Sequence, residues 1–401
     1  MFSILKSSLP AARMAPSLFS TLSAKAAYST INKNTFHFKD LKTTKCTKPK
    51  QSIPKEKLVF GTSFSDHMLE IKWSESKGWE TPNIVPFHNF DLHPAVPALH
   101  YASQCFEGSK AYRGNDGKVR VFRLDKNMER MNNSVIALGL PQFDIQEAVK
   151  CIEELVKVDK SAIPEGVGYS MYLRPAVIGT EPALGVRPSK EALLYVICSP
   201  CGPYFPTGFQ AVRLYADTDH VRAWPGGSGA SKLGSNYAGG MYPQKLAALK
   251  GYQQILWLFG ENHQISEAGT MNAFIFWVNE QGVLELLTPE LDGTILPGIT
   301  RDSILSITRK WGEFQVTEGK ITMDQVALAS QEGRLREVFG AGTACVISPV
   351  KEIGFMGSDI HIPLDPNDPT AQSGPLAKRL YNDLMAIQYG DISHEWTTIL
   401  E

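Results

Sequence analysis

The stretch Trp224-Pro225-Gly226-Gly227-Ser228-Gly229-Ala230-Ser231-Lys232-Leu233-Gly234-Ser235-Asn236-Tyr237 sets one lysine among glycines. Glycine lets a backbone take positive φ and come close to a ligand. A lysine held there can act as a point charge for phosphate or as a nucleophilic amine. The phosphate-loop version fails on spacing. It needs Gly directly before the Lys and Ser or Thr directly after it, and the neighbours here are Ser231 and Leu233. The dinucleotide fingerprint fails too, because Lys232 stands where the glycine after Gly227-x-Gly229 should be. The plain alternative is a surface lysine on a loop, so other residues must decide.

Three more stretches bear on it. Ile265-Ser266-Glu267-Ala268-Gly269-Thr270-Met271-Asn272 puts a carboxylate among small residues ahead of an apolar strand. Leu296-Pro297-Gly298-Ile299-Thr300-Arg301 opens a helix, whose free N–H groups can take a phosphate. Gly340-Ala341-Gly342-Thr343-Ala344 is a small-residue turn that can hold an anion. Singly, each reads as an ordinary turn. Together, amine, lone carboxylate, helix start and Gly-Thr turn are the parts a pyridoxal phosphate site needs, with the carboxylate keeping the pyridine nitrogen protonated.

Outward from these stretches, the chain has 401 residues, 43% hydrophobic and 20% charged. At roughly 100–200 residues per domain this gives two domains, or at most three. The formal net charge of -1 excludes the general basic footprint of a nucleic-acid binder. No apolar run approaches the roughly 20 residues of a membrane span. Cys46, Cys105, Cys151, Cys198, Cys201 and Cys345 are too sparse for a secreted disulfide framework, which points to a reducing compartment. The histidines show no zinc-type spacing, so no metal is expected.

Residues 1–39 contain no acid but carry Lys6, Arg13, Lys25, Lys33 and Lys39. That composition predicts a disordered mitochondrial transit peptide over 1–40, with processing near Ala27-Tyr28-Ser29-Thr30, and so a matrix location. Residues 41–57 read as linker. Beyond Leu58, strand and helix signals mix. Leu193–Cys198 reads as a buried strand. Ser109–Arg123 predicts a hairpin turning at Asn115-Asp116-Gly117, and Phe274–Leu287 a second one turning at 279–282. Asp144-x-x-Glu147 has capping-box spacing ahead of a helix carrying Ala148, Ile152, Leu155 and Val156 on one face. A further helix runs from Thr300 to Trp311. The pattern is mixed α+β / α/β. Prolines and glycines within 199–209 mark an interdomain linker. The division is 41–201 for a smaller N-terminal domain, 202–212 for the linker and 213–401 for a larger C-terminal domain.

From about Leu58 onward the chain resembles a branched-chain amino acid aminotransferase of the mitochondrial type, in the fold-type-IV pyridoxal-phosphate class. The segments carrying the resemblance are Phe106–Tyr112, Gly202-Pro203-Tyr204-Phe205, Val221-Arg222-Ala223-Trp224, Ser231–Tyr237, Glu267–Asn272 and Leu296–Arg301. The resemblance implies two domains with pyridoxal 5'-phosphate between them. It makes Lys232 the Schiff-base lysine and proton carrier, Glu267 the pyridine-nitrogen partner and Tyr237 the donor to the ring hydroxyl. Arg130, the N–H groups of Ile299 and Thr300, and the Thr343 side chain would hold the phosphate. Phe60, Tyr101, Phe106, Tyr172 and Tyr204 match pocket aromatics, and an apolar aromatic box suits a branched aliphatic chain. Thr270, the Ala344 N–H and the Tyr101 hydroxyl would bind the α-carboxylate. Arg174 would help with the γ-carboxylate of glutamate. Val186 would reach the partner's pocket in a homodimer.

The implied reaction moves the amino group of leucine, isoleucine or valine to 2-oxoglutarate, giving a branched-chain 2-oxo acid and glutamate by ping-pong kinetics. The implied partners are those small molecules, with neither nucleic acid nor membrane insertion. The sequence departs from the family's vertebrate mitochondrial members at Cys345-Val346-Ile347-Ser348, which lacks the second thiol of a Cys-x-x-Cys. Cys198-Ser199-Pro200-Cys201 has that spacing elsewhere, but reads as two half-buried thiols. The alternatives are a D-amino acid aminotransferase, an aminodeoxychorismate lyase, a cofactor carrier without turnover and a phosphate-loop protein.

Overall fold

The computed structural model describes residues 35–51, 53–203 and 209–401. Two sheets organise them. In the first, the long antiparallel strands His67–Ser74, Glu191–Cys201 and Ser170–Gly179 lie side by side. The predicted hairpin Ser109–Arg113 and Val119–Phe122 extends this sheet. The helices Leu124–Ala137 and Ile145–Val158 cover one face. Their apolar stripes (Met128, Met131, Val135; Ala148, Ile152, Leu155) share a core with Leu69, Ile71, Met171 and Leu173.

The second sheet contains a ring. Gln264–Ala268, Gln254–Phe259, Val212–Asp217, Val346–Phe355, Leu335–Gly342 and Met271–Val278 pair in that order, and the last pairs back to the first. Closure leaves those strands without a free edge. The joint is the hairpin between Gln264–Ala268 and Met271–Val278, where Glu267 faces Asn272 and Ala268 faces Met271. Its turn needs Gly269, which takes φ +60 and would push a Cβ to 2.2 Å from the Gln254 side chain.

The structure moves three boundaries. Residues 35–40, assigned above to the leader, belong to the fold. Phe36 is buried against Trp79 and Phe143, with ring centroids 5.4 and 5.9 Å away. The rest of the expected leader lies outside the described residues. The stretch 41–57 is docked rather than free: Lys42–Thr43 pairs with Asn83–Pro86, and the Cys46 N–H donates to His67 Nε2 at 2.8 Å. The last strand, Thr397–Leu400, leaves the C-terminal unit and pairs with Val119–Phe122 of the first sheet. The helix before it, Pro375–Tyr389, packs on strands of both sheets. Long-range edge pairing of this kind leaves no local mark in sequence. Among the described residues no helix is long and apolar enough to cross a membrane.

Candidate active site

Lys232 lies just before the short helix Gly234–Ala238, in the gap between the sheets. Its backbone is pinned from the first sheet's side. The Lys232 N–H donates to Ser134 Oγ at 2.9 Å, and its carbonyl accepts from the Phe106 N–H at 3.0 Å. The amine donates to the Tyr237 hydroxyl at 2.8 Å and lies over the Phe106 ring, 4.7 Å from its centroid. Burial, then the nearby Arg130 charge, brings this amine down to about 8. Burial, then the Glu267 charge, pushes the Tyr237 hydroxyl up to about 12.

The helix Leu124–Ala137 turns one face to the site through Asn127, Arg130 and Ser134, spaced three and four residues apart. Arg130 is gripped by Glu107, Nε to Oε1 at 2.7 Å and Nη2 to Oε2 at 2.8 Å. Its Nη1 donates to the Pro297 carbonyl at 3.0 Å. Asn127 donates to Glu107 Oε2 at 2.7 Å. Burial pushes the Glu107 carboxyl up, but Arg130, Lys232 and Asn127 together hold the group below its ordinary value.

Glu267 is matched in the same way. Its Oε2 is 2.9 Å from Arg222 Nε, and its Oε1 accepts the Leu296 N–H at 2.8 Å. Here burial wins, and the carboxyl is raised despite Arg222. The same hairpin carries Thr270 to the cavity wall three residues on.

The helix Ile299–Trp311 starts at Gly298. A Cβ on Gly298 would stand 1.9 Å from Asn272 Oδ1, so glycine is what lets the helix start dock there. The first turn of a helix has backbone N–H groups without intrahelical partners. Ile299, Thr300 and Thr343 line one cavity of about 320 Å³ with Arg130, Lys232 and Tyr237.

Of the expected substrate residues, Phe60, Phe106, Tyr172, Arg174, Thr270 and Ala344 line that cavity. Phe60 and Tyr172 pack edge to face at 4.8 Å. Arg174 donates to the Tyr172 hydroxyl and to the Glu107 carbonyl, both at 3.0 Å. Tyr101 does not join them. It is half-exposed, and its hydroxyl donates to the Leu184 carbonyl at 2.6 Å, near Val186 on an outer face. Val186 is 84% exposed and also lies off the cavity. Tyr204 lies outside the described residues.

The sequence alone assigns no role to Glu107, Asn127, Arg222 and Asn272, although three of them sit in the quoted segments. Their partners are remote in sequence. The one usable signal was chemical: Glu107 and Arg222 are charged residues flanked by Phe106, Gly108, Val221 and Ala223.

The pattern of the family described as Amino-transferase class IV matches residues 104–353, which contain Arg130, Lys232, Glu267 and Thr343. This chain belongs to that family. The cattle protein named "Branched-chain-amino-acid aminotransferase, mitochondrial" is 51% identical over 349 residues, covering 86% of this chain and 87% of that one. The mouse protein named "Branched-chain-amino-acid aminotransferase, cytosolic" is 49% identical over 365 residues, covering 90% and 93%. Among solved structures, the T.th. branched-chain amino acid aminotransferase with pyridoxamine 5'-phosphate superposes with a TM-score of 0.65 at 26% identity. It covers 82% of this chain and 98% of that one. The two-sheet architecture of this class IV aminotransferase is therefore the fold-type-IV fold, as the sequence reading expected.

Proposed function

We propose that this aminotransferase uses pyridoxal 5'-phosphate to move the amino group of L-leucine, L-isoleucine or L-valine to 2-oxoglutarate. The observation that carries the reading is the half-buried Lys232 amine, brought to about 8, in a cavity with aromatic walls and cationic ends.

The residues fit the cofactor. Arg130 spends three of its five N–H groups on Glu107 and Pro297, which leaves donors for a phosphate. The Ile299 and Thr300 N–H groups and the Thr343 side chain complete that cup. Glu267, raised by burial, is suited to share a proton with a pyridine nitrogen. When bound, the cofactor supplies an electron sink for the bond electrons at the substrate Cα. Lys232 removes the Cα proton and returns it at C4′. Tyr237 orients the Lys232 amine. Phe60, Phe106 and Tyr172 exclude water around the aliphatic side chain, and Thr270 with the Ala344 N–H orients the carboxylate.

The test is the visible absorption of the cofactor-loaded protein. L-leucine alone should remove the band, and 2-oxoglutarate should restore it. Lys232→Ala should show neither change. A band indifferent to leucine overturns the substrate assignment. Failure to take up pyridoxal phosphate at all overturns the site.

Relatives named cytosolic and mitochondrial are both similar at about half identity. The acid-free, basic residues before Thr35 favour mitochondrial import, and a reporter fused to them that stays cytosolic overturns this. The exposed Tyr101–Val186 face favours a homodimer in which these residues serve the partner's pocket. Sedimentation of a monomer with full activity overturns that.

A further inference from the structure

Charges around the cavity do not balance. Arg130 is matched by Glu107 and Arg222 by Glu267. Lys110, Arg174 and Lys232 have no carboxylate partner among the described residues. The residues outside the description, 1–34, Ser52 and 204–208, contain no acid that could supply one. A bound phosphate brings about two negative charges and a substrate carboxylate about one. Ligands of the proposed function thus carry the charge that the protein lacks. Arg174 and Lys232 already have roles in that reading, and Lys110 has none.

Lys110 lies on the strand Ser109–Arg113 of the first sheet and is 7% exposed. Its amine crosses to the second sheet and donates to the Ala344 carbonyl at 2.7 Å. That turn carries Thr343 and Ala344 into the substrate cavity. It is also strained. Val346, two residues on, is β-branched yet takes φ +63, a conformation that persists only where surroundings impose it. Lys110, Tyr112, Cys345 and Ser348 also border a second cavity of about 180 Å³, whose wall has no acid among the described residues. Burial lowers the Lys110 pKa, as expected for an ammonium without a counter-charge. An unpaired buried charge is costly, so its place against this one turn calls for a ligand of opposite sign.

We propose that Lys110 is a positioning residue for the substrate α-carboxylate, fixing the Ala344–Cys345 peptide and supplying positive charge behind it. This rests on the aminotransferase reading above. A carbonyl held by Lys110 fixes the plane of a trans peptide, and with it the turn whose preceding N–H, that of Ala344, faces the carboxylate. The charge acts through that turn rather than by touching the substrate.

The test compares L-leucine with 3-methylbutylamine, the same amine without the carboxylate. Binding of each is read from the change in cofactor absorption. For Lys110→Met, the apparent Kd for leucine should rise about 10- to 100-fold, and that for 3-methylbutylamine by less than about threefold. Pyridoxal phosphate affinity should fall by less than leucine affinity, and the thermal midpoint should not fall, because the variant removes a costly buried charge. Lys110→Arg should restore leucine binding. If Lys110→Met does not fold, Lys110→Gln carries the same comparison. Equal losses for both ligands, or a loss for neither, overturn the assignment. A wild-type protein indifferent to leucine overturns the proposed function and this assignment with it. A wild-type response that Lys110→Met reproduces unchanged overturns the assignment alone.

Discussion

Arg130 and Glu107 form a buried, two-bonded pair that joins the helix Leu124–Ala137 to the end of the strand Gln104–Phe106. The Glu107 side chain has no exposure and that of Arg130 only 9%. The pair holds Arg130 beside the helix start, where its Nη1 donates to the Pro297 carbonyl and it shares a cavity with Gly298, Ile299 and Thr300. Removing one partner of a buried pair leaves the other charge stranded, at about 3–5 kcal/mol. Glu107→Gln, which keeps the shape but not the charge, should therefore lower the denaturation midpoint of the apo-protein. It should also weaken pyridoxal phosphate binding by about tenfold or more. A Glu107→Gln protein with unchanged midpoint and cofactor affinity would show that the pair orients nothing.

The Lys232 amine gives a pH signature. Its folded value is about 8, whereas a free lysine holds its proton to 10.5. Below about 8 both states are protonated, and the full cost of burying the ammonium is present. Between about 8 and 10.5 only the unfolded chain keeps the proton, so raising the pH favours the fold. Apo-protein stability should gain a rising contribution across that window, absent in Lys232→Met. The rate of pyridoxal phosphate capture should also climb toward a plateau above about pH 8, as the neutral amine accumulates. Equal denaturation profiles for the two proteins between pH 8 and 10 would refute the shift.

Gly298→Ala tests the helix start. The added methyl would meet Asn272 Oδ1, whose amide also donates to the Leu296 carbonyl at 2.9 Å. Relief requires moving either the hairpin strand or the helix start. Overpacking of this kind costs about 1–3 kcal/mol, and the displaced N–H groups should weaken phosphate-end binding. Titration with pyridoxal phosphate, alongside a urea melt, would read both. A variant with normal cofactor affinity would mean that the close approach is not required.

Cys198 and Cys201 should not form a disulfide in the native state. Both lie on one strand, Glu191–Cys201, and both are buried. Positions three apart on a strand face opposite sides, with Cα atoms about 10 Å apart, beyond the roughly 7 Å that a disulfide spans. Intact mass after mild diamide treatment of the folded protein should show no loss of two hydrogens at this pair. Mapping of a Cys198–Cys201 bridge by peptide analysis would contradict the strand.

Local features were legible because their causes are local. The Asn115-Asp116-Gly117 hairpin formed where expected, with Gly117 at φ +76. The cap at Asp144 formed as well, accepting the Glu147 N–H at 3.0 Å. The reciprocal half did not, because Glu147 turned to the Phe38 N–H at 2.6 Å. That choice depended on a segment 109 residues away. Tyr101 shows the same limit: its type fitted a pocket, but the loop that reaches its hydroxyl was set by the tertiary path.

By itself the sequence singled out the candidate groups: one lysine in a glycine-rich stretch, one carboxylate ahead of an apolar strand, and a Pro-Gly helix start. Those depend on side-chain identity and on backbone freedom at single positions. It also carried the family resemblance and the mixed two-domain fold. Only the tertiary structure decided which charges cancel. Glu107 found Arg130 and Glu267 found Arg222, while Lys110 was left with a carbonyl. Charge balance is a sum over neighbours in space, and those neighbours are brought together by sheet pairing and burial, which a linear string does not encode at any one position.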